Sequence, residues 1–310
     1  MLSNLLRRSR AALAITVATG ALIAVGAPAE AAVSGPPTTA ASSFLMDGAT
    51  GATLSSKAGN TRREGASTTK IMTAHVVLTA PGLDLNKKVT IRQEYLDYVY
   101  LQGGSSANLK AGATPTVRQL LYAMMLPSGC EAAYALADTF GSGTTRAART
   151  ADFIAKMNAK AKSLGMTNTT YDSFDGISPT QKNLTTARDL AKLTRAAMKG
   201  TTFKTIVKAP SYSSGGTSTD ATWLNTNLLL KAGNGYRTPG AIGVKTGRGT
   251  AAGKCLVFSV TRNGKTVIGV LLNDEERFPD AVKLIDWAVG PATKSAPLRG
   301  TAKQIPDVLD

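Results

Sequence analysis

The strand-forming segments of this chain lie at its two ends, and helix-forming segments fill the middle. Near the amino end, two short runs flank a turn at residues 48–51 and predict a hairpin. Near the carboxyl end, Asn263-Gly264 is a strong signal for a type I′ hairpin turn. This order predicts an α/β fold in which both termini complete one antiparallel sheet and a helical subdomain is inserted. The predicted strands are residues 42–47, 52–57, 241–247, 255–262 and 265–273.

Apolar residues recur at helical spacing between the two groups of strands, and proline or glycine follows most of these segments. Such residues commonly end helices. One further helix is expected after the last strand. The predicted helices are residues 67–79, 116–126, 131–140, 150–164, 185–199 and 279–289.

The first 31 residues have the features of an export signal. Arginines at positions 7, 8 and 10 precede an apolar run at 11–27 that is short for a membrane span, and Ala29-Glu30-Ala31 fits a cleavage site. We therefore expect an exported protein, with the general secretion route favoured over the twin-arginine route. The expected division is a signal peptide at 1–31, one domain at 32–292 and a tail at 293–310. Within the domain, the sheet part covers about 40–66 and 201–292, and the helical part about 67–200.

The chain has 310 residues and a formal net charge of +16. Such an excess favours anionic partners, which for an exported protein are wall polymers, membrane headgroups or acidic substrates. Nucleic acid is not expected, because aromatic residues make up only 5% of the chain and the basic residues do not form blocks.

Ser67 and Lys70 form the most informative pair in the sequence, at the start of a mostly apolar helix. Residues three apart share a helix face, with Cβ atoms about 5–6 Å apart, so the amine can reach the hydroxyl. The helix dipole there favours the anion that forms when a serine attacks a carbonyl. The alternative, a helix-capping serine with a solvated lysine, is disfavoured by the apolar helix. The pair therefore predicts a serine nucleophile with a lysine base.

His75 is the one histidine of the chain, which argues against a zinc site and leaves no cofactor expected. It follows Ser67 by eight residues, or about 12 Å along a helix, which is too far for a Ser-His pair. We expect it to be an ordinary helix residue. The two cysteines, Cys130 and Cys255, are too few for a disulfide framework. We favour two small buried residues, and a single disulfide between them remains an alternative.

Two further motifs follow: Ser128-Gly129-Cys130 in a predicted loop, and Lys245-Thr246-Gly247 at the end of a predicted strand. Ser-x-x-Lys, Ser-x-Asn and Lys-Thr-Gly, in this order, mark the penicillin-recognising serine enzymes. The chain resembles the low-molecular-mass penicillin-binding DD-peptidases over the whole mature sequence to about Val289. It is most similar to the small exported DD-transpeptidases whose second motif is Ser-Gly-Cys. The resemblance implies the penicillin-recognising fold, without the extra C-terminal domain and anchor of larger carboxypeptidases.

The resemblance also implies the roles of the site residues. Ser67 attacks the carbonyl between two D-alanines and forms an acyl-enzyme, Lys70 accepts the proton, and Ser128 relays a proton to the leaving amine. Lys245, Thr246 and Arg248 hold the terminal carboxylate, while Gly247 leaves room for the substrate beside the strand. Backbone N–H groups of Ser67 and Arg248 form the oxyanion hole. Peptidoglycan stem peptides ending in D-Ala-D-Ala are the expected substrates, and β-lactams are the expected covalent inhibitors. The protein itself is expected at the wall or membrane surface.

Cys130 departs from the family pattern, in which asparagine binds the substrate amide. A thiol is a poorer donor and acceptor, so we expect weaker amide recognition and slow hydrolysis. No glutamate lies between Glu131 and Glu275 to serve as the deacylating base of common serine β-lactamases. Penicillin is therefore expected to inhibit the protein. A β-lactamase and a weak wall-binding or β-lactam-sensing protein remain alternatives, and the balance of carboxypeptidase and transpeptidase activity is open.

Overall fold

The computed structural model describes residues 34–215 and 222–292. The predicted signal peptide at 1–31 and the predicted tail at 293–310 lie outside these residues. The nine strands within the described ranges are β1 (Ser42–Asp47), β2 (Thr53–Lys57), β3 (Arg63–Glu64), β4 (Leu184–Thr185), β5 (Ser211–Ser213), β6 (Thr222–Leu224), β7 (Ala241–Gly249), β8 (Gly253–Arg262) and β9 (Lys265–Leu272).

Five of these strands form one antiparallel sheet in the order β2-β1-β9-β8-β7. The pairing of β1 with β9 joins the two ends of the domain, so the prediction of an α/β fold with a sheet completed by both ends is confirmed. Asn263 and Gly264 both have positive φ angles, 52° and 73°, as a type I′ turn between β8 and β9 requires. β3 pairs with β4, and β5 pairs with β6.

Eight helices lie in the same described ranges, with two short 3₁₀ turns at Ala66–Thr69 and Leu228–Leu230. The segment predicted as one helix at 67–79 begins with the first of these turns and continues as α1. The helices are α1 (Lys70–Leu78), α2 (Gln93–Gln102), α3 (Val117–Met125), α4 (Cys130–Phe140), α5 (Arg146–Ser163), α6 (Ala187–Ala197), α7 (Thr201–Lys208) and α8 (Arg277–Val289).

Two of the helices were not individually predicted. α2 carries three tyrosines and a weak apolar stripe, which is a poor helical signal. α7 lies in the range that the sequence assigned to the sheet part, and its sequence is rich in threonine and other β-branched residues. Burial of Phe203, Ile206 and Val207 against the rest of the domain overrides that preference.

The core has two parts, one on each face of the sheet. On one face α8 packs against β8 and β9, where Phe258 and Ile285 are fully buried. On the other face lies the larger core, which includes Ile71, Met72 and Val77 of α1. α1 contacts α3, α4, α5, α6 and α7 and is buried along almost its whole length, as expected of a helix that is apolar on most sides. The 3₁₀ turn before α1 contacts β7, so the fold places the start of α1 beside that strand. In the described ranges, no helix has the length and apolar character needed to cross a membrane.

Candidate active site

Ser67 lies in the 3₁₀ turn that precedes α1 and is only 4% exposed. The Thr68 hydroxyl closes this turn by donating to the Gly65 carbonyl at 2.7 Å. Ala66, directly before Ser67, has a φ of 45°, in the left-handed region that non-glycine residues rarely adopt. Such strain persists where the surrounding structure imposes it, which is common at functional sites.

Lys70 is the first residue of α1, and its side chain returns toward the 3₁₀ turn. Its Nζ lies 2.8 Å from the Ser67 Oγ, and both residues are buried. The same nitrogen lies 3.4 Å from the Ser128 Oγ. Thus the structure brings together Ser67, Lys70 and Ser128, with the amine between the two hydroxyls.

Ser128 and Gly129 lie in the link between α3 and α4, and Cys130 is the first residue of α4. Ser128 has a φ of 72°, so a second non-glycine residue of the site adopts the left-handed conformation. A Cβ on Gly129 would lie 2.9 Å from the Ala123 carbonyl oxygen, which explains the need for glycine in this link. The Cys130 Sγ lies 3.4 Å from the Lys70 Nζ. Burial raises the pKa of the thiol to about 12, although the charge of Lys70 opposes the shift, so the thiol stays protonated at neutral pH.

Lys245 and Gly247 lie on the face of β7 that is directed toward α1. Lys245 is opposite Val257, and Gly247 is opposite Cys255; both partners belong to the core that includes α1. A Cβ on Gly247 would lie 2.8 Å from the Gly65 carbonyl oxygen and 3.3 Å from the Ser67 nitrogen. The absence of a side chain at Gly247 therefore allows β7 to lie against the turn that carries Ser67.

Thr246 and Arg248 alternate with those residues along β7. Thr246 is opposite Leu256, which belongs to the core beside α8, and its hydroxyl lies 2.6 Å from that of Thr226. Thr246 is fully buried, whereas Arg248 is half-buried.

Two buried residues that support the site were not identified from the sequence. The first, Arg277 of α8, donates through Nη1 to the Gly247 carbonyl at 2.8 Å and to the Cys255 carbonyl at 3.2 Å. No motif marks this arginine, which lies two residues before the last predicted helix at 279–289.

The second is Asp175, which lies in the loop between α5 and β4 and is fully buried. Its Oδ2 accepts a hydrogen bond from the Tyr98 hydroxyl at 3.0 Å, and its Oδ1 accepts one from the Ile177 N–H at 3.0 Å. A Cβ on the next residue, Gly176, would meet the Ala66 carbonyl oxygen at 2.0 Å. The Asp-Gly pair was visible in the sequence, but it is typical of exposed turns, and nothing in its spacing indicates contact with the Ser67 turn.

Residues 29–276 match the family model described as D-alanyl-D-alanine carboxypeptidase. The chain belongs to this family. A D-alanyl-D-alanine carboxypeptidase of Streptomyces sp. strain K15 is 49% identical over 292 residues, which cover 90% of this chain and 98% of the relative. D-alanyl-D-alanine carboxypeptidase DacB2 of Mycobacterium tuberculosis is 33% identical over 254 residues, covering 79% of this chain and 80% of the relative.

The crystal structure of the Streptomyces K15 DD-transpeptidase matches this fold with a TM-score of 0.77 and 50% sequence identity. The match covers 82% of this chain and 98% of that chain. The resemblance to the penicillin-binding DD-peptidases, recognised from three short motifs, is confirmed by the family and by this structure, as is the assignment of the chain as a serine-type D-alanyl-D-alanine carboxypeptidase.

In this DD-peptidase both cysteines are buried and neither forms a disulfide, so Cys130 and Cys255 are not bonded to each other. Cys255 lies on β8, and its thiol donates to the Ala252 carbonyl at 3.5 Å. His75 is nearly buried near the far end of α1. Burial, together with the charge of Lys160, lowers the pKa of His75 to about 4, so the imidazole is neutral at physiological pH.

Proposed function

We propose that this DD-peptidase cleaves the bond between the last two D-alanines of peptidoglycan stem peptides through an acyl-enzyme on Ser67. The observation that carries the proposal is the 2.8 Å separation of the Lys70 Nζ and the Ser67 Oγ in a buried site. A nucleophile and its base need hydrogen-bond contact of about this length.

The proposed reaction begins when the Ser67 Oγ attacks the carbonyl carbon of the penultimate D-alanine and its proton passes to the Lys70 Nζ. Backbone N–H groups of Ser67 and Arg248 stabilise the oxyanion. The C–N bond then breaks, and the proton travels from Lys70 through the Ser128 hydroxyl, 3.4 Å away, to the departing amine of D-alanine. Water or an amine acceptor attacks the ester, giving hydrolysis or transpeptidation and restoring Ser67.

Substrate binding is assigned to β7 and Cys130. Lys245, Thr246 and Arg248 hold the terminal carboxylate, and the substrate backbone lies beside the strand at Gly247 as an added strand. Cys130 takes the place of the asparagine that binds the substrate amide in most of the family. Its protonated thiol is a weak donor, so amide recognition is weak and turnover slow.

Penicillin acylates the same serine, and the adduct is long-lived. Glu131 is the nearest glutamate to Ser128 in sequence, and its Oε1 accepts hydrogen bonds from the Ser106 hydroxyl and the N–H groups of Ala107 and Leu109. This carboxylate is fully buried and held by the loop through Oε1, so it is not placed to activate water for deacylation.

The cellular role proposed is the maturation of peptidoglycan outside the cytoplasm, after export directed by residues 1–31. The full chain has a net charge of +16, and residues 32–310 carry +14, which supports electrostatic attachment to anionic wall polymers or membrane headgroups. Release from isolated membranes by high salt is expected, whereas a requirement for detergent would contradict attachment by charge.

The proposed reaction is tested with an acylated tripeptide ending in D-Ala-D-Ala, by measuring released D-alanine with and without an amine acceptor. The parent protein should release D-alanine, and the same peptide ending in D-Ala-L-Ala should be a poor substrate. The Ser67→Ala variant should release none above background. Release of D-alanine by this variant at the parent rate would overturn the proposal. The fraction of product joined to the amine measures the balance of hydrolysis and transfer.

A further inference from the structure

Asp175 is a fully buried carboxylate at the back of the site, outside all three sequence motifs. Three elements direct donors at it: α2 through the Tyr98 hydroxyl, α4 through the Cys130 thiol, and its own loop through the Ile177 N–H. The loop is attached to α1 and to the 3₁₀ turn before it. The Thr73 hydroxyl of α1 donates to the Phe174 carbonyl, and the Asn183 amide donates to the Thr69 hydroxyl of the turn. Asp175 is therefore held in place relative to α1.

Cys130 connects this carboxylate to Lys70. Its sulfur lies 3.4 Å from the Lys70 Nζ, and its thiol also hydrogen-bonds Asp175. Burial keeps the thiol protonated, so its one proton can go to the carboxylate or to the Ser128 carbonyl, 3.9 Å from the sulfur, while the sulfur accepts from the Lys70 amine. The order of contacts is Tyr98, Asp175, Cys130 and Lys70.

Two buried lysines in this region would be stabilised by a nearby anion. The proposed reaction places a proton on Lys70, which is fully buried, and Lys245 is a second buried cation of the site. A buried charge is costly unless an opposite charge and hydrogen bonds compensate it. Glu131 is engaged with the loop of Ser106, Ala107 and Leu109. Burial raises the pKa of the Asp175 carboxyl, and the charge of Lys70 and three hydrogen bonds oppose that rise.

We propose that Asp175 is a positioning residue for the reaction: through the Cys130 thiol and its own negative charge, it orients Lys70 and stabilises the ammonium formed when Ser67 loses its proton. This inference rests on the proposed roles of Ser67 and Lys70. It assigns a function to the loop at 173–177, which supports the nucleophile through Gly176 and the base through Asp175.

The titratable groups that face Asp175 are Lys70 of α1, Tyr98 of α2 and Cys130 of α4. Tyr134 of α4 lies against the ring of Tyr98, at 5.2 Å between centroids. Burial and the neighbouring carboxylate raise the pKa of Tyr98, so this hydroxyl, like the thiol, remains a donor at neutral pH. Asp175 is therefore the acceptor of the cluster, and its charge is the one that Asp175→Asn removes.

The experiment measures the second-order rate constant for acylation by benzylpenicillin, with intact-protein mass as readout, as a function of pH. An anion stabilises a neighbouring ammonium, so removal of the anion favours the free amine. Asp175→Asn is expected to move the acidic limb of the profile to lower pH by about one unit. The plateau should fall about three- to tenfold, because the amine becomes a weaker base and its ammonium loses a partner.

Asp172→Asn is the matched control from the same loop. Asp172 accepts hydrogen bonds from the Ser178 and Thr180 hydroxyls and the Lys182 N–H, and none of these groups belongs to the proposed machinery. Its removal perturbs the loop without changing the charge beside Lys70, so the limb should stay at the parent's pH. An equal shift in this control would overturn the proposal, because loop disorder would then explain both results.

Tyr98→Phe keeps the test decisive if Asp175→Asn does not fold. Loss of the hydroxyl removes one hydrogen bond from the carboxylate and makes its charged form less stable, so the limb should move in the same direction by a smaller amount. A folded Tyr98→Phe variant that is acylated at the parent rate, with the acidic limb at the parent's pH, would overturn the role of Asp175 but not the proposed function. Absence of any adduct on the parent at every pH would instead overturn the proposed function.

Discussion

The two sides of the site are held in place by different kinds of contact. On the helical side, which comprises Ser67, Lys70, Ser128 and Cys130, side chains contact one another, and Lys70 lies within 3.4 Å of the other three. On the strand side, which comprises residues 245–248 of β7, two of the observed contacts involve the backbone. Arg277 binds the Gly247 carbonyl, and the missing side chain of Gly247 leaves space for the Gly65 carbonyl.

This difference separates the chemistry of the site from its shape. A substitution on the helical side changes which groups can exchange protons, whereas one at Gly247 changes how closely the strand approaches the nucleophile. Substitutions on the two sides should therefore have distinct kinetic effects, and the following predictions run from the largest expected effect on activity to the smallest.

Lys70→Met should have the largest effect, because it keeps the length of the side chain but removes the base. General-base catalysis contributes about 10²–10⁴-fold, so acylation by benzylpenicillin should slow by about that factor. Intact-protein masses of samples quenched at intervals over hours give the acylation rate. Lys156→Met, a change to a partly exposed lysine paired with Asp152, is the control and should leave the rate unchanged. A Lys70→Met rate within threefold of the parent would show that another group accepts the proton.

Gly247→Ala should be the next largest, because its Cβ would lie 2.8 Å from the Gly65 carbonyl oxygen and force β7 or the Ser67 turn to move. Small displacements of reacting groups are costly, and we expect acylation at least about tenfold slower. Gly249→Ala is the matched control on the same strand, since the atoms nearest to its Cβ are 3.7 Å away. Similar rates for the two variants would contradict the close approach of β7 to Ser67.

Cys130→Asn should have a moderate effect of the opposite sign. An amide is a better donor and acceptor than a thiol, so release of D-alanine from peptide should rise several-fold. Cys255→Ala is the control, because this second buried thiol lies on β8 and contacts the Ala252 carbonyl. Unchanged peptide turnover in Cys130→Asn would contradict the role assigned to the thiol.

His75→Gln should leave catalysis unchanged and alter only the pH dependence of stability. The unfolded imidazole binds a proton below a pH of about 6.5, whereas the folded one, with a pKa of about 4, does not. Stability contributed by neutral His75 is therefore lost as the pH falls from 6.5 to 4, by about 1–2 kcal/mol after allowance for solvent screening. Urea unfolding at pH 7.5 and pH 4.5 measures this loss, which should shrink in the variant. A large loss of activity would instead assign His75 to the site.

The sequence predicted the parts of the molecule that depend on local patterns. Residues 67 and 70 share a helix face by spacing alone, and Asn263-Gly264 marks its hairpin through backbone conformation. β1 and β9 could be assigned to one sheet because strands at the two ends need a partner. α7 was missed because its β-branched residues are helical only through tertiary burial.

Asp175 and Arg277 could not be identified in this way. Asp175 lies 105 residues after Lys70 in the chain, within an irregular polar loop, and its importance arises from burial that only the folded chain creates. Arg277 acts on the backbone of β7, and a contact with a carbonyl leaves no trace in the residue type of its partner. A single sequence therefore reveals the motifs that react more readily than the residues that support them.

The central claim, that Ser67 is the nucleophile, is tested most directly by the intact mass of the protein after incubation with benzylpenicillin, beside Ser67→Ala. We expect one stable penicilloyl adduct on the parent and none on the variant. An adduct on both proteins, or penicillin consumed by the parent without an adduct, would contradict the account. The latter result would indicate a β-lactamase whose deacylating base lies elsewhere in the site.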